Sequence, residues 1–172
     1  MMLQFDAEGL RELLEDFHTL THVRVSVYDA NWDKLIAYPE KSCPFCTLLK
    51  DNPVSRKLCK SCDQSGFLAC RNSGSIQIYR CHAGLIDAVA PIRMNDITIG
   101  YMMFGQMIDP VLKKTERNQV ISYALSFCSD AAAVSKAYDR LCCKDERQIR
   151  SAAKIIEACA CYLWMNQLAW MD

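Results

Sequence analysis

Tyr79-Arg-Cys-His-Ala-Gly-Leu-Ile-Asp-Ala-Val-Ala-Pro-Ile92 is the stretch on which the reading of this chain turns. Leading into it, Ile76, Ile78 and Arg80 alternate with Gln77, Tyr79 and Cys81, the period of a strand with two unlike faces. The alternation stops at His82-Ala83-Gly84 and resumes with Ile86, Ala88, Ala90 and Ile92 on one face. The break sets a thiol, an imidazole and a glycine side by side, so chemistry is expected there rather than along the strands. Downstream, Asn95-Asp96 turns the chain. Ile97 to Phe104 then forms a further strand ending at Gly105-Gln106, with Gly100 as a bulge or close-approach point.

On the N-terminal side, Asp6 to Phe17 reads as a helix capped by Asp6, with an apolar stripe of Leu10, Leu13, Leu14 and Phe17. Val23, Val25 and Val27 alternate with Arg24, Ser26 and Tyr28. A turn at Asp29-Ala30-Asn31 and a return over Lys34 to Tyr38 complete a hairpin. Ser42 to Cys46 is expected to be a loop leading into a short helix near Thr47 to Lys50. A longer helix over Ser55 to Asn72 is stopped by Gly74. After Pro110 the pattern is helical over Lys113 to Phe127, Asp130 to Leu141 and Asp145 to Trp170, the last about 39 Å long. Five strands with helices inserted after the second predict an α+β fold. The layout is PAS-like or GAF-like: a five-stranded antiparallel sheet with C-terminal helices. The boundary is placed between residues 1–144 and a long terminal helix over 145–172.

Composition narrows the function. Of 172 residues, 51% are hydrophobic and 23% charged, enough for one domain with its own core. Twenty basic and twenty acidic side chains cancel, so this segment has no field to hold nucleic acid through its phosphates. No apolar run approaches the roughly 18 residues of a membrane span. The acidic, amphipathic N-terminus does not resemble a signal peptide, so a cytoplasmic location is expected. Eleven cysteines, an odd number, argue against a secreted disulfide framework.

Cys43 and Cys46 form one CxxC pair, and Cys59 and Cys62 form another twelve residues on. Such spacing can supply thiolates to zinc or an iron–sulfur cluster, with Cys81 as a fifth candidate. The same residues can equally be small buried groups beneath a helix, and both readings stay open. Cys70, Cys128, Cys142, Cys143, Cys159 and Cys161 read as packing residues. His82 is either a hydrogen-bonding group in a pocket or a structural histidine. Neighbours on a strand point to opposite faces, so Cys81 and His82 are not expected to act as nucleophile and base. No phosphate loop, carboxylate pair or serine elbow occurs, and the chain is not read as an enzyme. Tyr79, Tyr101, Met103, Phe104, Gly105 and Gln106 outline an apolar pocket with few polar groups. In the last helix Ile149, Ala152, Ile156, Cys159, Leu163, Asn166 and Trp170 repeat at a heptad spacing. That suits a homodimer seam or signalling helix, although a core-facing helix has a similar pattern.

Residues 45–53 (FCTLLKDNP), Cys59 through Asp63, residues 79–93 (YRCHAGLIDAVAPIR) and residues 99–107 (IGYMMFGQM) together resemble the PocR sensory domain family. The resemblance covers roughly residues 5 to 165. It matches at Cys46, Cys59, Asp63, Tyr79, Cys81, His82, Gly84, Leu85, Pro91, Gly100, Gly105 and Gln106, and Cys43 and Cys62 look like additions to the family pattern. It implies a PAS-like module that binds small hydrocarbon derivatives such as short diols. The output would come from an AraC-type regulator or signalling kinase elsewhere in a longer chain. On this reading Cys81 turns toward Cys46 and Cys59, with a fourth metal ligand from Cys43 or Cys62. His82, Ala83, Gly84 and Leu85 edge a pocket closed by Phe104, Gly105 and Gln106, with Tyr79, Tyr101 and Met103 inside it. Zinc or an iron–sulfur cluster is the only cofactor considered, a small molecule the expected partner, and a cysteine-based metal or redox sensor the alternative function.

Overall fold

The computed structural model describes the backbone of residues 7–169 and side chains as far as residue 159. In chain order the helix α1 (Ala7–Thr21) precedes the hairpin β1 (Arg24–Asp29) and β2 (Lys34–Tyr38). Two helices follow, α2 (Pro44–Lys50) and α3 (Pro53–Ser73), and then the meander β3 (Gln77–Arg80), β4 (Ile86–Met94) and β5 (Ile97–Ile108). The chain closes with α4 (Pro110–Thr115), α5 (Arg117–Ala124), α6 (Ala131–Asp139), a short β6 (Cys142–Cys143) and α7 (Glu146–Ala169).

The strands lie in the order β2-β1-β5-β4-β3, all antiparallel, and β6 adds a short parallel pairing to β5. This is the PAS-like α+β fold expected from the sequence, with one strand more. The order has a direct consequence for the site. β2 and β3 are opposite edges of the sheet, yet only α2 and α3 separate them in sequence. The chain must therefore cross the sheet between them, and these two helices form a roof over one face.

Local signals explain the roof helices. Asn52 caps α3, its side chain accepting the N–H groups of Val54 (2.9 Å) and Ser55 (3.3 Å), and Pro53 occupies the first turn, where no donor is needed. Gly74 ends the helix at φ +64° and returns its N–H to the Cys70 carbonyl. α2 begins earlier than expected, at Pro44, because the Cys43 side chain caps it by accepting the Cys46 N–H.

The opposite face of the sheet is covered by α1 and α7. Leu10, Leu14 and Phe17 of α1 bury against Val25, Val27, Ala88, Ala90, Ile92, Met102 and Phe104. Ile149, Ala153 and Ile156 of α7 complete this core. Each fully buried Leu, Ile or Phe here contributes about 1.5–3 kcal/mol. The heptad positions Ile149, Ala152 and Ile156 thus face the chain's own sheet rather than a second copy. Ile149, Ala153 and Ile156, placed in the terminal helix by sequence, therefore belong to the core that covers the sheet. The seam positions Leu163 and Asn166 lie outside the described side chains, and Trp170 outside the described residues. A further difference is that Lys113 to Phe127 is not one helix but two, parted at Glu116.

Candidate ligand site

Under the roof lies a cavity of about 70 Å³. Arg24, Ser26 and Tyr28 of β1, Cys46 and Lys50 of α2, and Cys59 and Asp63 of α3 line it. Cys81, Asp87 of β4, and Met103, Gly105 and Gln106 of β5 complete the lining. One water needs about 10–15 Å³ of such space, so the cavity suits a molecule of a few heavy atoms.

A bulge shapes the inner wall. Ile86 pairs with Met107 and Ala88 with Phe104, so Gly105 and Gln106 both stand opposite Asp87. Gln106 takes φ +63°, and its N–H donates to Asp87 Oδ1 at 2.9 Å. Its side-chain Oε1 accepts the Cys43 N–H at 2.7 Å and ties β5 to the start of α2. Gly105 is required sterically: a Cβ there would collide with Asp87 Oδ1. Gly66 on α3 does the same for Tyr79, whose ring fills the space a Cβ would take. Tyr79 Oη donates to Asp63 Oδ1 at 3.1 Å and fixes that carboxylate at the cavity.

The charges are poised. Burial, aided by nearby Asp63, pushes the Asp87 carboxyl up to about 6, while the Gln106 N–H, Lys50 and Arg24 pull the other way. Burial also raises Asp63, partly opposed by the Tyr79 hydrogen bond. Cys81 is pushed up to about 12 by burial and by Asp87, and burial raises Cys59. Cys43 and Cys46 diverge. Their mutual hydrogen bond lowers Cys43, helped by backbone donors, and raises Cys46 together with burial. Arg24 is held by the Pro39 and Glu40 carbonyls and by Ser26 Oγ at 3.1 Å.

The strand break is a turn: Cys81 N–H reaches the Leu85 carbonyl, Gly84 N–H the Cys81 carbonyl, and Gly84 sits at φ +84°. Because residues 81–84 are not extended, Cys81 and His82 need not face apart. Cys81 lines the cavity, and His82 Nε2 lies 3.2 Å from Cys59 Sγ while His82 Nδ1 meets Tyr123 Oη at 3.1 Å. Burial holds the His82 imidazole below its ordinary value and the Cys59 thiol above its own, a setting that keeps both neutral rather than activating a thiolate.

The structure distributes the residues expected at the site over several places. Met103, Gly105 and Gln106 line the cavity. Tyr79 and Tyr101 pack beside it around Phe67, and Tyr79 reaches in through Asp63. Phe104 points to the other face, 6.5 Å edge-on from Phe17. Ala83 and Leu85 are buried with Phe45, Val120 and Tyr138. His82, Ala83 and Gly84 border a separate shallow depression with Arg80, Glu116 and Tyr123, spanned by the Arg80–Glu116 ion pair. Of the five metal candidates, Cys46, Cys59 and Cys81 line the cavity, while Cys43 caps α2 and Cys62 does not reach the lining. Among the described residues no three His, Cys, Asp or Glu groups gather closely enough to hold a metal ion.

The expected apolar pocket is instead rich in charge. Arg24, Ser26, Tyr28, Lys50 and Asp87 are not among the expected site residues, and Asp63 enters only through the family pattern. One signal was available: Asp87 interrupts the apolar run Ile86 to Ile92, where a charge is costly unless it serves something.

A PAS-like sheet with a small polar cavity under a helical roof is an arrangement able to house a small ligand, as a sensory domain must. The profile described as the sensory domain found in PocR matches residues 4–168, and the chain belongs to that family. It is 30% identical over 102 residues to Regulatory protein PocR of Salmonella typhimurium (strain LT2), a match covering 59% of this chain and 33% of that protein. The chain thus spans about a third of the relative it matches. No solved structure matches it significantly. Among the described residues no helix is long and apolar enough to cross a membrane.

Proposed function

We propose that this domain senses a short diol or a related small hydroxylated compound in the cavity beneath α2 and α3, and passes its occupancy to an output module elsewhere in a longer protein. The observation that carries this reading is the pairing of acceptors and donors around so small a space. Asp63 and Asp87 accept hydroxyl protons, while Arg24 and Lys50 donate to hydroxyl oxygens. Met103 offers an apolar wall for a hydrocarbon stem. A molecule with two hydroxyls on a short carbon chain meets all three demands. The Salmonella relative is named a regulatory protein, which supports a regulatory output.

α7 is the element through which occupancy would leave the domain, because it packs on β4, the strand that carries Asp87. A homodimer through the distal part of α7 is part of the proposal. Thermal unfolding against a panel of two- to four-carbon diols tests the ligand reading. A binder raises stability by about 2.7 kcal/mol at a hundred times its Kd. No change across the panel would count decisively against the reading. The alternative, a metal centre on the cavity thiols, has in its favour that Cys46, Cys59 and Cys81 share the lining. Stoichiometric zinc or iron in the purified protein would support it instead.

A further inference from the structure

The ligand reading makes no use of the first CxxC pair, and the geometry there is specific. Cys43 is the residue before the first turn of α2, at φ −58° and ψ 157°, and its Sγ accepts the Cys46 N–H at 3.5 Å. Each of the two residues is only partly accessible, and neither is fully buried. Cys43 stands outside the cavity, whereas Cys46 lines it. A cap residue and the residue three further on lie on one side of the first turn. Same-side β-carbons in a helix stand about 5–6 Å apart and a disulfide spans about 3.5–4.5 Å, so the cap residue must draw in by about 1–2 Å. Pro44 holds the turn between them in helical shape. A bond between the two sulfurs therefore needs side-chain rotation and a small shift of the non-helical cap residue.

The pair is also wired to the cavity at two points. Cys46 is part of its wall. The Cys43 N–H is held by Gln106 Oε1 at 2.7 Å, and Gln106 is the bulge residue beside Asp87.

We propose that Cys43 and Cys46 form a reversible disulfide that remodels the cavity wall. The oxidant class is a hydroperoxide. Cys43 Sγ, the outer sulfur and the one facing a backbone donor, attacks the peroxide. The O–O bond breaks, an alcohol or water leaves, and Cys43 becomes a sulfenic acid. Cys46 Sγ then attacks that sulfur. The S–S bond forms, the S–O bond breaks, and the hydroxyl departs as water with the Cys46 proton. Two thiols lose two electrons in all and the peroxide gains them. A dithiol reductant reverses the change by exchange. In the bridged form Cys46 Sγ turns from the cavity toward Cys43, so the wall loses a thiol and the cavity gains room beside Lys50. This second half of the proposal rests on the cavity being the ligand site.

The test treats the reduced full chain with hydrogen peroxide, alkylates the remaining thiols and maps peptides by mass. Both cysteines fall within Ser42–Lys50, a single tryptic peptide. The expected result is that peptide unalkylated and lighter by two hydrogens, restored by dithiothreitol, and absent in Cys43→Ser and in Cys46→Ser. A bridge from Cys46 to Cys81 instead, or both cysteines alkylated at peroxide levels that oxidise other thiols, overturns the proposal. The diol panel is then run on reduced and bridged protein. A severalfold difference in affinity supports the cavity coupling, and equal affinities overturn it. Binding in neither form defeats the ligand reading, while the mapped bridge stands by itself.

Discussion

On one face of the sheet, Val25, Val27, Ala88, Ala90, Ile92, Met102 and Phe104 lie under α1 and α7 as a closed apolar layer. On the other, the intervening residues of the same strands divide in two. Val89 and Tyr101 pack with Phe67 and Cys70 of α3, Arg24, Ser26, Asp87 and Gln106 surround the cavity, and Tyr28 and Met103 belong to both. The first face follows the transfer of apolar area out of water. The second holds ionisable groups in partial burial, which is unfavourable for folding and favourable for recognition. One face stabilises and the other, on the proposed function, recognises, and alternation along each strand lets single residues be exchanged on either side almost independently.

The sharpest way to break this division is Phe104→Ala. It removes an aromatic ring packed on Phe17 and is expected to cost about 3–5 kcal/mol in urea denaturation, with diol affinity of the folded protein nearly unchanged. A substitution that abolished binding while leaving the core intact would assign Phe104 to the cavity after all.

Asp87→Asn tests the other face. The Asp87 carboxyl is raised to about 6 in the fold, so the folded state holds a proton that the unfolded chain has already released. The stability tied to that proton is fully present below the ordinary value near 4 and is lost as pH climbs to about 6. Up to about 3 kcal/mol is involved. The asparagine variant keeps an acceptor for the Gln106 N–H, so its stability between pH 4 and 6 should be flatter than that of the parent, and its diol response should fall. An unchanged slope would show that Asp87 is not the titrating group.

Gly105→Ala forces a methyl group against Asp87 and is expected to cost about 1–3 kcal/mol and to suppress the diol response together. Asn52→Ala is the mildest change. It removes the α3 cap at a cost of about 1 kcal/mol and should weaken binding only as far as it loosens the roof, which amide exchange along α3 would report.

Much of this was legible in the sequence. The alternation of Val23, Val25 and Val27, the α1 stripe and the stop at Gly74 are strong periodic or backbone signals, and each fell where expected within a few residues. What escaped has physical causes. β6 is two residues long and has no period to detect. The bulge at Gly105-Gln106 shifts the phase, so that Phe104 and Met107, three apart, share the α1–α7 core. Arg24 and Ser26 look like the wet side of a half-buried strand, and only the crossing helices make that side an interior. Residues 81–84 read as a kink in a strand, but as a turn they let His82 reach Cys59, a partner 23 residues away that no local pattern could name.

β6 also gives the sheet a mechanical linkage. Ile108, two residues beyond the bulge, pairs with Cys143, and its carbonyl receives the Lys144 N–H at 3.1 Å. α7 begins at Glu146, so its root is fastened to the same strand end that carries Gly105 and Gln106. With 24 residues α7 is about 36 Å long. As a lever on that fulcrum, a tilt of roughly 5° at its root moves its far end by about 3 Å, comparable to the shifts that repack helical interfaces. Displacements too small to notice at the bulge would arrive, magnified, at the far end of the helix.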